Sequence, residues 1–104
     1  MKSEHQIQNE IRIAISQAGH TVFRANVGKV QMKDGRWFDT GLPAGFSDLF
    51  GVRADGKAFF LEIKKHNGIV KEKQRLFLEV MKSKGALTGV ARSVSDALKI
   101  LGEE

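Results

Sequence analysis

Asp48, Glu62 and Lys64 are the residues whose types and spacing most directly suggest chemistry in this chain. Thirteen residues separate the two carboxylates, and the lysine stands two positions past the glutamate. All three lie within or beside runs apolar enough for central strands, Leu49-Phe50-Gly51-Val52 and Phe59-Phe60-Leu61-Glu62-Ile63-Lys64. A charge placed in a sheet is costly unless it is paired or holds a metal. Two carboxylates and an ammonium on one hairpin are the minimal parts of a metal-dependent site for cleaving phosphodiesters.

Whether they meet depends on the turn at Ala54-Asp55-Gly56. A two-residue loop at Asp55-Gly56 would set Asp48 opposite Ile63 and turn Glu62 and Lys64 to the other face, because side chains alternate along a strand. A three-residue loop closed by a left-handed glycine pairs Arg53 with Lys57 instead. Asp48 then lies opposite Glu62, with Lys64 on the same face. Asp-Gly suits both turns. The three-residue loop is the reading taken, because it alone assembles the cluster.

The elements around this hairpin follow from periodicity. Ser3 and Gln6 form a capping box, with Ile7, Ile11, Ala14, Ile15 and Ala18 at helical spacing behind it and Gly19 as the stop. Thr21 to Val27 reads as a strand. Val30-Gln31-Met32 and Arg36-Trp37-Phe38 read as a short hairpin around Lys33-Asp34-Gly35. A glycine-rich loop from Gly41 to Gly45 delivers the chain to Asp48. The spacing predicts a helix over 69–84, with Leu76, Phe77, Val80 and Met81 as its apolar stripe and Gly85 ending it. A strand over 87–91 and a last helix capped by Ser93 complete the order.

A length of 104 residues predicts one domain, 1–104. With no cysteine, disulfides and thiolate zinc sites are excluded. His5, His20 and His66 lack metal-ligand spacing and read as exposed or packing histidines. No signal-type or membrane-spanning apolar run is present, which makes the cytoplasm of a bacterial or phage-infected cell the expected location. The net charge of +5 favours a polyanion. Nothing resembles a base-reading helix or finger, so backbone and shape recognition are expected.

The element order, the Asp48…Glu62-Ile63-Lys64 spacing and the helix carrying Gln74 resemble the PD-(D/E)xK nuclease superfamily. More narrowly, they resemble its virus-type replication-repair nuclease (VRR-NUC) branch, in the stand-alone form of phages and bacteria. The likeness runs from Glu10 to about Leu101. It is strongest at Gly45-Phe46-Ser47-Asp48-Leu49, Leu61-Glu62-Ile63-Lys64-Lys65 and Lys73-Gln74-Arg75. One departure is visible: Ser47 stands where the branch often has proline, and the chain's single proline is Pro43.

The resemblance implies an α/β fold, a restriction-endonuclease-like core with a mixed central sheet between helices, in the order αβββαβ plus a C-terminal helix. It implies Mg2+ or Mn2+ held by Asp48, Glu62 and the Ile63 carbonyl, with Lys64 and Gln74 at the reacting phosphate. It also implies a carboxylate from the first helix. Glu10 is the matching position and Glu4 the alternative, because Glu4 precedes the periodic face. Lys29, Lys65, Lys71, Lys73 and Arg75 are candidates for tracking a DNA backbone, against the plainer reading of each as a solvated charge. The implied activity is a Holliday junction resolvase-like endonuclease acting as a homodimer on branched DNA. A restriction-type or flap nuclease, or a non-catalytic DNA-binding module, is the alternative. Trp37, Phe38, Leu42 and Phe46 are the candidate dimer surface. Base stacking by Trp37 and Phe38 is the other role open to them.

Overall fold

A computed structural model of the chain describes residues 1–103. Helix α1 spans Glu4–Gln17, and its capping box is formed: Ser3 Oγ accepts from the Gln6 amide while the Gln6 side chain accepts from the Ser3 amide. Ile7, Ile11 and Ile15 recur at helical spacing and are buried. Strands follow at Thr21–Arg24 (β1), Lys29–Gln31 (β2), Trp37–Asp39 (β3), Leu49–Val52 (β4) and Ala58–Ile63 (β5). Helix α2 covers Glu72–Ser83, strand β6 Leu87–Ala91 and helix α3 Val94–Ile100. Ser93 caps α3 by accepting from the Asp96 amide.

The main sheet has the order β1-β4-β5-β6 and is mixed, since β6 runs parallel to β5 and the other pairs are antiparallel. Strand β5 is therefore paired on both sides. That explains how a strand with two charges at its end carries an apolar run. Leu49, Phe59, Leu61, Ile63 and Ala91 point to one face. There they form the core with Ile7, Ile11 and Ile15 of α1 and with Ala97 and Leu101 beside α3. The opposite face is aromatic: Phe50 and Phe60 meet Phe46 and the α2 residue Phe77, with the Phe46 and Phe77 ring centroids 4.6 Å apart.

The turn between β4 and β5 is the three-residue one. Arg53 N donates to Lys57 O, Gly56 N donates to Arg53 O, and Gly56 takes φ +93°. Leu49 consequently pairs with Leu61 and Val52 with Ala58.

Three expectations change. The first strand ends at Arg24 rather than Val27, because the Ala25 amide donates to Asp48 O and the chain then leaves the sheet. Helix α2 begins at Glu72, not at 69: Lys71 is extended and its amide donates to the Gln74 side chain. Its packed face is Phe77, Leu78 and Met81, while Leu76 and Val80 point outward. The hairpin β2–β3 forms as read, with Val30 opposite Phe38, but stands outside the main sheet with all six strand residues exposed.

Candidate active site

The β4–β5 register sets Asp48 across from Glu62, on the face that α2 covers. Glycine delivers the chain there. Gly45 has φ +93°, and a Cβ on it would lie 2.7 Å from Lys73 O in α2, so only glycine lets the loop pass this close to the helix. Ser47, in place of the branch's proline, is fully buried and donates its hydroxyl to Leu49 O at 2.9 Å. A side-chain bond thus stiffens the chain before β4 where a ring otherwise would.

Asp48 Oδ2 accepts from the Ile63 amide at 2.8 Å, locking the first carboxylate onto the end of β5. Glu62 is 1% exposed, and its Oε2 accepts from Gln74 Nε2 at 2.8 Å. Lys64 is 7% exposed, with Nζ 3.7 Å from the same Glu62 oxygen. Gln74 has only one workable orientation. Its Oε1 takes the Lys71 amide at 2.9 Å, so its NH2 group must face Glu62. One residue both caps α2 and ties that helix to the site.

Glu62 Oε1 is buried and has no hydrogen-bond partner. Burial first, and the neighbouring Asp48 charge second, push the Glu62 carboxyl up to about 8, with the Lys64 ammonium pulling the other way. A buried oxygen without a donor, beside a second carboxylate that repels it, fits a cation held between the two. No group of three or more His, Asp or Glu side chains that could hold a metal occurs among the described residues. A cation between Asp48 and Glu62 would have these two carboxylates as ligands and would take backbone oxygen and water for the rest, a set suited to a hard divalent ion.

The structure brings Asp48, Glu62, Ile63, Lys64 and Gln74 together and leaves Glu10 apart. Glu10 is half-exposed and pairs with Lys2 Nζ at 2.9 Å. The α1 carboxylate nearest the cluster is Glu4. A Cβ on Gly68 would lie 3.1 Å from Glu4 Oε2 and 3.4 Å from Lys64 Cβ and Cδ. The signal for Glu4 was present in its spacing, since positions 4, 7, 11 and 15 form one stripe and Glu4 heads it. Among the basic candidates, Lys65, Lys71 and Lys73 are exposed, Lys65 directly after Lys64 and the other two flanking Glu72 at the start of α2. Arg75 is bound to Glu79 and Glu72 on its own helix, and Lys29 sits on the outlying hairpin opposite Asp39. His20 is a packing histidine: its Nδ1 accepts from the Ala54 amide, which leaves Nε2 to donate to Glu103.

A mixed sheet whose central strand ends in a carboxylate and a lysine, facing an aspartate from the adjoining strand, defines a nuclease domain of the PD-(D/E)xK type. The profile of the VRR-NUC domain matches residues 2–95, and the chain belongs to that family of nuclease domains. Solved structures share the fold, two of them as follows. One, described as a VRR_NUC domain, superposes with a TM-score of 0.69 at 19% identity, covering 97% of each chain. The other, a VRR_NUC domain protein, has a TM-score of 0.65 at 17% identity over 97% of this chain and 86% of its own. No match was found among curated proteins. Nucleases of this family generally depend on a divalent metal.

Proposed function

We propose that this protein is a divalent-metal-dependent DNA endonuclease, resembling a Holliday junction resolvase, that hydrolyses phosphodiester bonds in branched DNA. The observation that carries the reading is the buried Asp48–Glu62–Lys64 cluster with its unpartnered Glu62 Oε1. Asp48, Glu62 and the Ile63 carbonyl would hold Mg2+ or Mn2+, which when bound polarises the scissile phosphate and acidifies a water. The protein's own groups do the rest. Lys64 neutralises charge developing on the phosphate oxygens. Gln74 holds Glu62 Oε2 in place, so that Oε1 is the oxygen presented to the cation. Lys65, Lys71 and Lys73 contact the DNA backbone without reading bases.

The branched substrate is favoured by symmetry. One chain carries one such cluster, and resolving a junction needs two symmetric incisions, which a two-fold dimer supplies. The deciding experiment is cleavage of a synthetic four-way junction beside matched duplex, flap and single-stranded DNA. Paired, symmetric incisions in Mg2+ or Mn2+, with binding but little turnover in Ca2+, are expected. Preference for flap or plain duplex would transfer the site to a flap or restriction-type nuclease. Binding without cutting in any metal would leave a DNA-binding module, and vigorous cutting in EDTA would refute the metal mechanism.

A further inference from the structure

Arg92 immediately follows β6, next to the end of the active strand, where the Lys64 amide donates to Ala91 O. Among the described residues its guanidinium pairs with no carboxylate, unlike those of Arg36, Arg53 and Arg75. Its guanidinium is spent on backbone oxygens instead. One nitrogen, Nη1, donates to Lys65 O and Gly68 O at 2.8 Å each, with a longer contact of 3.4 Å to His66 O. The Arg92 backbone is itself fixed, since its amide donates to Asp96 Oδ2 and the Asp96 amide is bound by Ser93 Oγ.

The segment so gathered is the turn Lys65-His66-Asn67-Gly68, closed by Gly68 N donating to Lys65 O at 3.0 Å. It follows Lys64 directly. Its side chains Lys65, His66 and Asn67 are exposed while two of its carbonyls share one cation. The turn runs beside the stem of Lys64: a Cβ on Gly68 would come into van der Waals contact with Lys64 Cβ and Cδ, at 3.4 Å each. Without the guanidinium, these carbonyls would lose a charged donor, worth more than a neutral one. The turn would then have one backbone bond to hold its shape.

We infer that Arg92 is a positioning residue for Lys64: by drawing the Lys65 and Gly68 carbonyls together, it fixes the turn that follows Lys64 and runs beside its stem, and so fixes where the ammonium sits. The inference rests on the nuclease reading for its kinetic part and on the fold alone for its structural part. Two kinds of measurement therefore test it, on the full chain and with Arg92→Ala and Arg92→Lys.

Amide exchange is read first. In Arg92→Ala the Gly68 amide should exchange about tenfold faster or more, while the Ile63 amide, bound to Asp48, is unchanged. On whichever DNA the wild type cuts best, kcat should fall by about 10- to 100-fold, as expected when a catalytic group is displaced by about an ångström. KM and Ca2+-supported DNA affinity should stay within about threefold, because the metal-holding carboxylates are untouched. Arg92→Lys, which keeps a cation on a shorter stem, should recover part of the lost kcat. An unchanged kcat despite a loosened turn, a rise in KM alone, or no recovery in Arg92→Lys would overturn the inference. If Arg92→Ala does not fold, Arg92→Lys must still show the loss in kcat without a loss in affinity. A wild type that cuts no DNA defeats the nuclease reading, and an unchanged Gly68 exchange rate in Arg92→Ala separately defeats the clamp.

Discussion

At Glu62 two demands oppose each other: β5 buries the side chain as part of a central strand, and its carboxylate needs a counter-charge. Gln74 satisfies one oxygen and Lys64 approaches it, but Oε1 is left with nothing. Without a cation the cheapest answer is a proton, which is why burial and Asp48 raise this carboxyl to about 8 from a usual value of 4.5. The sign follows. Between those values the folded chain holds a proton that the unfolded chain has released, so the metal-free protein is most stable below about 4.5 as far as this group is concerned. It loses that stability as pH rises towards 8, with a slope of up to about 1.4 kcal/mol per pH unit. A divalent cation competes with the proton, so its stabilisation should grow over the same range. Thermal melts should therefore show a metal-free melting temperature that falls from pH 5 to pH 8.5, a Mg2+-induced shift larger at the upper end, and a flatter profile in Glu62→Gln. A pH-independent metal-free melt would remove the basis for a strained carboxylate pair. Cleavage is the companion test at this scale. Asp48→Asn and Glu62→Gln keep volume and remove a metal-holding charge, so each should reduce the rate by about a hundredfold or more while DNA binding holds or strengthens. Near wild-type rates in either would displace the site.

The elements that hold these residues differ in how far their sequences determine them. Helix α1 was legible because its capping box and its isoleucines agree, and the β4–β5 hairpin because Asp55-Gly56 allows few turns. Only the chemistry of the carboxylates separates the two turns in the sequence, and the register is that of the three-residue one. Helix α2 was legible in existence but not in phase. Leu76, Phe77, Leu78, Val80 and Met81 offer two overlapping stripes, and only packing against Phe46 and Phe60 selects 77, 78 and 81. The same ambiguity hid its start, since Ile69 and Val70 extend the apolar pattern while the chain is already committed to the extended approach that Gln74 caps. Contacts made by a backbone carbonyl leave no trace in composition, which is why Arg92 was invisible beforehand. Stability measures the corrected phase directly. Leu78→Ala, at a buried position, should cost about 2–4 kcal/mol. Leu76→Ala, at a position 45% exposed, should stay within about 0.5 kcal/mol. Equal losses in urea unfolding would restore the stripe through Leu76 and Val80.

On the scale of the whole molecule, the feature that most needs an explanation is the hairpin β2–β3. Two strands alone are at best marginally stable in water, yet this pair packs on neither face of the main sheet and exposes Trp37 at 64% and Phe38 at 57%. Val30 and Met32 add to the apolar surface, at 43% and 47% exposure. Phe46 does not contribute, because the aromatic cluster under α2 has absorbed it, and Leu42 is half-buried. Under the proposed function, we read this apolar surface as the interface between two copies of the chain. A second copy related by a two-fold axis would cover it with the same residues and would pair two active sites, as junction resolution requires. Both ends of the excursion are tied to the site, since Ala25 bonds to Asp48 O before the hairpin and Asp48 follows it after the Gly41–Gly45 loop. Light scattering at micromolar concentration should accordingly give about twice the 11.5 kDa chain mass. Trp37→Glu with Phe38→Glu should give a monomer that retains Mg2+-dependent stabilisation, because neither residue touches the carboxylates, but that nicks a four-way junction instead of cutting it symmetrically. A wild-type monomer that still makes paired incisions would break the link between the hairpin and the activity, and stacking of Trp37 on an unpaired base at the branch point would then be the better account of why it is exposed.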